Sequence, residues 1–240
     1  MRLPALNALL AMAVLCLPGL AARADPVDAV PGPLGYGSRG YVWNGMSAEQ
    51  VQVLRLTGDP ARGRDVYRGC QGCHRQDGNG RADGTYPRLA GQHAVVLVKQ
   101  ITDTRAGVRI NPKMEPFSSG HAVTIQEIAD VAVFLSTRVA SAPNGQGPAE
   151  LVPAGQALYE QLGCGDCHGS TGLGDERRVY PMVAGQHHGY LVREMEHVRD
   201  GQRGNSHPDM VRTLKGRSAA DLQALASYMS RLPARGSATR

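Results

Sequence analysis

Two five-residue signatures constrain this 240-residue chain more than anything else in it: Cys70-Gln71-Gly72-Cys73-His74 and Cys164-Gly165-Asp166-Cys167-His168. Two thiols three residues apart match the two vinyl groups of one porphyrin, and the histidine that follows reaches the iron from the proximal side. The pattern therefore points to two covalently attached haem c groups. Zinc or a redox disulfide would compete for a single Cys pair. Two pairs, each followed at once by histidine, set both aside. Composition agrees. With only two phenylalanines and one tryptophan in the chain, two domains would lack large core side chains, and a flat prosthetic group would fill the space.

The signatures anchor an internal repeat. An offset of 94 carries Cys70 to Cys164, Tyr86-Pro87 to Tyr180-Pro181, and Ala90-Gly91-Gln92-His93 to Ala184-Gly185-Gln186-His187. It also carries Arg109-x-Asn111 to Arg203-x-Asn205, and Thr124 to Ser218. A long period occurring twice implies duplicated domains rather than a solenoid, which needs at least three units. Each copy reads as helical. Pro60 and Pro153 open a helix running into the haem signature. A second helix is predicted from about Gln92 and Gln186. A third starts at a capping box, Thr124 with Glu127 and Ser218 with Asp221, followed by apolar residues at helical spacing. The resulting division is a domain over 59–140, a Pro/Gly linker over 141–149, and a second domain over 150–240.

Residues 1–24 read as a secretory signal: Arg2, an apolar run from Asn7 to Leu20 (including Cys16), and the small-x-small site Ala22-Arg23-Ala24. The mature chain is expected in the periplasm, without stable membrane insertion. Removing Arg2 and Arg23 takes the formal charge from +5 to +3, and four haem propionates would bring it near neutral. That excludes a nucleic-acid footprint.

An iron with no substrate to bind takes a sixth ligand from the protein. Met114 is the candidate in the first domain. Met210 is the candidate in the second, with His207 as its rival. Both methionines lie in loop-like sequence just beyond the Arg-x-Asn element. Met195 and Met229 fall in helical stripes, where core filling is their expected role. The metal set is thus His74 with Met114 and His168 with Met210. With both axial positions taken, such a site passes single electrons and performs no bond chemistry. A diheme peroxidase-type enzyme, which needs an open or displaceable position, is the alternative. His93, His187, His188 and His197 read as ordinary polar helix residues.

Two C-x-x-C-H domains in tandem, each with a Pro-x-x-Ala-Gly-Gln segment and a distal methionine, resemble the diheme cytochrome c4 family over residues 60–234. The resemblance implies an all-α fold of two tandem class I cytochrome c domains related by a pseudo-twofold axis. It also implies electron shuttling between redox partners such as a membrane oxidase, a reductase complex or a periplasmic dehydrogenase. Further, it implies that the carbonyls of Pro87 and Pro181 orient the proximal histidines. Arg109 and Arg203 are either propionate partners or solvated surface residues. The chain departs from the family in an N-terminal extension, 25–58, with Tyr36, Tyr41 and Trp43 and a helix-like run from Ser47 to Leu56, which either docks a partner or covers the first domain. Similarity to electron-accepting partners of sulfur-compound dehydrogenases gives a second version of the same function.

Overall fold

The computed structural model describes residues 46–140 and 143–236. The expected signal and the aromatic stretch 25–45 lie outside them. A short helix α1 (Ala48–Arg55) precedes two helical units. The first holds α2 (Pro60–Val66), α3 (Gln71–His74), α4 (Ala94–Arg105), α5 (Glu115–Ser118) and α6 (Ile125–Ser136). The second repeats the plan with α7 (Val152–Gln161), α8 (Gly165–His168), α9 (His188–Arg199), α10 (Pro208–Leu214) and α11 (Ala219–Arg231). Among the described residues the only β pairing is an isolated bridge, Asp175 with Tyr180. None of the helices there is long and apolar enough to cross a membrane.

The helix starts follow the expected local chemistry. Asp59 accepts from the amides of Ala61 and Arg62 ahead of Pro60, and full capping boxes form at Ser47/Gln50, Thr124/Glu127 and Ser218/Asp221. In each unit the first and last helices cross at a glycine. A Cβ on Gly63 would stand 2.1 Å from the Asp130 carbonyl oxygen, and one on Gly155 would stand 2.0 Å from that of Ala224. An aromatic pair closes each crossing: Tyr67 with Phe134 at 5.5 Å, and Tyr159 with Tyr228 at 5.3 Å. The two phenols then tie the crossing to the haem signature. Tyr67 Oη donates to the Arg75 carbonyl at 2.8 Å, and Tyr159 Oη to that of Gly169 at 2.7 Å.

The described end of the extension, α1, covers the first domain. Val53 and Leu54 of α1 are buried in the core with α4 and α6, each worth about 1.5–3 kcal/mol relative to exposure. Gln50 Nε2 donates to Asp103 Oδ1 at 2.6 Å, and Arg105 pairs with Glu49. This outer layer explains why α4 is buried from Ala94 to Lys99, whereas α9 buries only Leu191, Val192, Met195 and Val198. Val179 of the second unit completes the same core, although its φ of +59° is left-handed and unfavourable for a β-branched residue.

The connection is not a loose spacer. Asn144 Nδ2 donates to the carbonyls of Gln186 and Ser230, and the Gly147 amide donates to Ser230 Oγ at 3.2 Å. Residues 143–148 are therefore docked on the second unit, despite a composition that reads as flexible.

Candidate haem sites

Each signature sits on one turn of helix. The amide of His74 donates to the Cys70 carbonyl at 3.0 Å, and that of His168 to Cys164 at 2.9 Å. This turn gathers the i, i+3 and i+4 side chains on one face, so two sulfurs and one imidazole point the same way. His74 and His168 are both buried. Nδ1 of His74 donates to the Pro87 carbonyl at 3.2 Å, and Nδ1 of His168 to the Pro181 carbonyl at 2.9 Å. Glycine lets the loop come close enough. Gly80 and Gly174 adopt positive φ, and a Cβ on either would stand 2.4 Å from a carbonyl oxygen, that of Pro87 or of Tyr180. Burial holds both imidazoles below their ordinary proton affinity, so each is neutral, with its Nε2 lone pair available to a metal.

Both signatures line one continuous cavity of about 560 Å³ that spans the two units. Met114 and Met210 line it as well, as do Met182, Met195 and Met229. Met114 is the N-cap of α5; Met210, expected in a loop, lies instead in α10, which Pro208 opens, and packs against the second core. His207 also reaches the cavity wall, but its Nδ1 accepts from the Asp209 amide at 3.0 Å and caps α10. Met46, in the extension, lines a separate small crevice beside Val179. Met195 and Met229 belong to the second core, as their helical spacing predicts.

The donor set suits haem c better than the two alternatives. Among the described residues no cluster of three or more His, Cys, Asp or Glu could hold a metal. Burial raises the Cys70 thiol and pushes Cys164 up to about 11, the reverse of what a thiolate redox centre needs. Two thiols and a neutral imidazole from each signature on the wall of a shared cavity, with thioethers also lining it, fit a covalently held porphyrin.

Two further expectations need correction. Of the two readings for Arg109 and Arg203, the solvated one is wrong: both line the cavity and bridge the units, Arg109 donating to Glu194 at 3.1 Å and Arg203 to Gln100 at 3.0 Å. His93 and His187 do precede helices, but they are buried and reach the opposite unit. His93 Nε2 donates to the Leu173 carbonyl at 2.8 Å, and His187 Nε2 to that of Asn79 at 2.7 Å. The glutamines beside them do the same. Gln92 donates to the Met182 carbonyl and accepts from the Met182 amide, at 2.9 and 3.0 Å. Gln186 reads the carbonyl and amide of Arg88 in the same way, both at 2.9 Å. Since position 88 maps to 182 and 79 to 173 under the 94-residue offset, the contact is reciprocal about a pseudo-twofold axis. Its signal was the full identity of Ala-Gly-Gln-His in both copies, more than a helix start requires.

Comparison with known proteins gives a consistent picture. The family model for cytochrome c matches residues 60–138 and again 152–233. The cytochrome c4 of Azotobacter vinelandii is 31% identical over 199 residues, covering 75% of this chain and 92% of that protein. A thiosulfate dehydrogenase electron acceptor of Stutzerimonas stutzeri is 30% identical, covering 74% of this chain and 89% of that one. The crystal structure of reduced cytochrome c4 from Pseudomonas stutzeri superposes with a TM-score of 0.66 at 28% identity, over 73% of this chain and all of the other.

Proposed function

The chain belongs to the diheme cytochrome c4 family, with two cytochrome c domains in one polypeptide, and on that premise we propose how its own residues serve the transfer of single electrons. It carries two covalent haem c groups, works with redox partners, and is an electron-transfer protein rather than an enzyme. When bound, haem c supplies a one-electron iron couple.

Cys70 and Cys73 hold one porphyrin, and Cys164 and Cys167 the other. His74 and His168 ligate the irons through Nε2, fixed in orientation by the Pro87 and Pro181 carbonyls. Met114 and Met210 complete the coordination. Met210 is favoured over His207 because His207 Nδ1 accepts from the Asp209 amide, which places the proton of the neutral ring on Nε2, the reverse of His74 and His168. A soft thioether favours ferrous iron and raises the potential. The observation that carries the reading is the shared cavity, lined by both signatures, by Met114 from the first domain, and by Met210 together with Met182, Met195 and Met229 from the second. The mature chain acts in the periplasm after removal of residues 1–24. It passes electrons between redox partners of a respiratory or oxidative chain; a dehydrogenase of sulfur compounds as its donor is the second reading, supported by the similarity to a thiosulfate dehydrogenase electron acceptor.

The test is the far-red charge-transfer band that methionine gives to ferric haem, measured on the purified holoprotein against haem count. Two equivalents are expected. Met114→His and Met210→His should each remove one and lower the potential of one haem. High-spin features at either iron would overturn the assignment and bring a peroxidase-type site forward.

A further inference from the structure

Four side chains meet where the two domains share the cavity wall: Gln100 and Arg109 from the first, Glu194 and Arg203 from the second. They form a closed square. Arg109 donates to Gln100 Oε1 at 2.9 Å and to Glu194 Oε2 at 3.1 Å. Arg203 donates to Glu194 Oε2 at 2.9 Å and to Gln100 Oε1 at 3.0 Å. Tyr190 and Asn205 extend the network, Arg193 stands 3.7 Å from the other oxygen of Glu194 as a third, more exposed cation, and the neighbouring Lys99–Asp103 pair is balanced in charge. The side chains of Arg109 and Glu194 are only 11% and 13% exposed, so solvent screens them poorly.

The square has one irregularity. Gln100 and Glu194 are equivalent under the 94-residue offset, and one oxygen of each accepts from the same two guanidinium groups. An amide oxygen serves that geometry in one domain, so the carboxylate in the other adds a charge rather than a hydrogen bond.

We propose that Glu194 sets the reduction potentials of both haems together, as a shared negative charge on the wall between them. It acts as a positioning residue: it fixes two arginines that would otherwise repel each other, and it halves their net positive field on the cavity. Ferric haem carries one more positive charge than ferrous haem, so a nearby carboxylate stabilises the oxidised form and lowers the potential. The inference rests on the reading that both haems occupy the shared cavity.

The experiment is a spectroelectrochemical titration of the holoprotein and two variants, Glu194→Gln and Gln100→Glu, with the far-red band and thermal midpoint recorded for each. Glu194→Gln should raise both potentials. The equilibrium constant for reduction should change on the order of tenfold, about 59 mV for a one-electron couple. Gln100→Glu, at the equivalent corner, should lower both. Opposite signs identify a field effect, since disruption of the interface by either substitution would not reverse direction. The proposal is overturned if Glu194→Gln leaves both potentials unchanged, if only one haem responds, or if the two variants shift the same way. Retention of the far-red band in every variant separates such a failure from a failure of the ligand assignment, which would already show in the unaltered protein.

Discussion

Replacing Gln92 by alanine probes the joint between the domains directly. Its carboxamide oxygen accepts from the amides of Met182 and His93, and its NH2 group donates to the Met182 carbonyl. Truncation would leave three buried backbone groups without partners. Each unsatisfied group costs about 1–3 kcal/mol. The low end of that range applies where water enters the space vacated, giving about 3 kcal/mol in all. Gln186→Ala removes the same three bonds on the other side, to the Arg88 carbonyl and amide and the His187 amide. Its cost should match to within about 1 kcal/mol if the reciprocity is energetic as well as geometric. The double variant should lose less than the sum, because opening one side already wets the other. Guanidinium unfolding of the oxidised holoprotein, followed by Soret absorbance and far-UV circular dichroism, measures all three. One transition is expected for the unaltered protein and two resolved transitions for the double variant, as the domains unfold separately. If either single substitution cost under about 0.5 kcal/mol, or the double variant were simply additive, the clasp would not be what holds the domains together.

Other outcomes follow from the same geometry. Gly63→Ala and Gly155→Ala should each destabilise by about 1–3 kcal/mol through overpacking at the helix crossing; a thermal shift near zero would show that the crossing can open. His93 and His187 are held below their ordinary value of 6.5, chiefly by burial. The unfolded chain therefore takes up protons first as pH falls, so stability is full above that value and is lost progressively below it. Melting between pH 7.5 and pH 5 checks this, and His187→Gln should flatten the dependence. Arg62→Ala removes both guanidinium bonds to the buried Asp130, leaving the Asp59 amide and Gln126 as its donors. A loss of stability, smaller in high salt because Arg62 is exposed, is expected in chemical unfolding.

Local chemistry was legible in the sequence wherever a few neighbouring residues determine it. The thiol–thiol–histidine spacing, the capping boxes at Thr124 and Ser218, and the prolines opening α2 and α7 are all of this kind. What stayed hidden depends on docking. Gln92 and His93 look complete as a helix start, because nothing local says that their polar atoms pair with backbone 80 and 90 residues away. Arg109 looks like a surface cation until Glu194 and Gln100 come to meet it. Val179 runs against local preference, since its left-handed φ is unfavourable for valine and is held in place by burial between α1 and α4. The role of α1 was equally invisible, as its apolar face could have covered either a neighbour or a partner.

Gln92 and Gln186 recognise peptide groups rather than side chains, so the joint does not depend on what residues 88 and 182 are. Arginine stands at one and methionine at the other, and the same two bonds form on each. Fusion into one chain adds to this tolerance. The docked connection keeps the halves at a high effective concentration, so they need only an interface too weak to hold two separate molecules together. A duplicated protein arranged this way can let its halves differ in charge, and so in electron affinity, while still meeting in the same register.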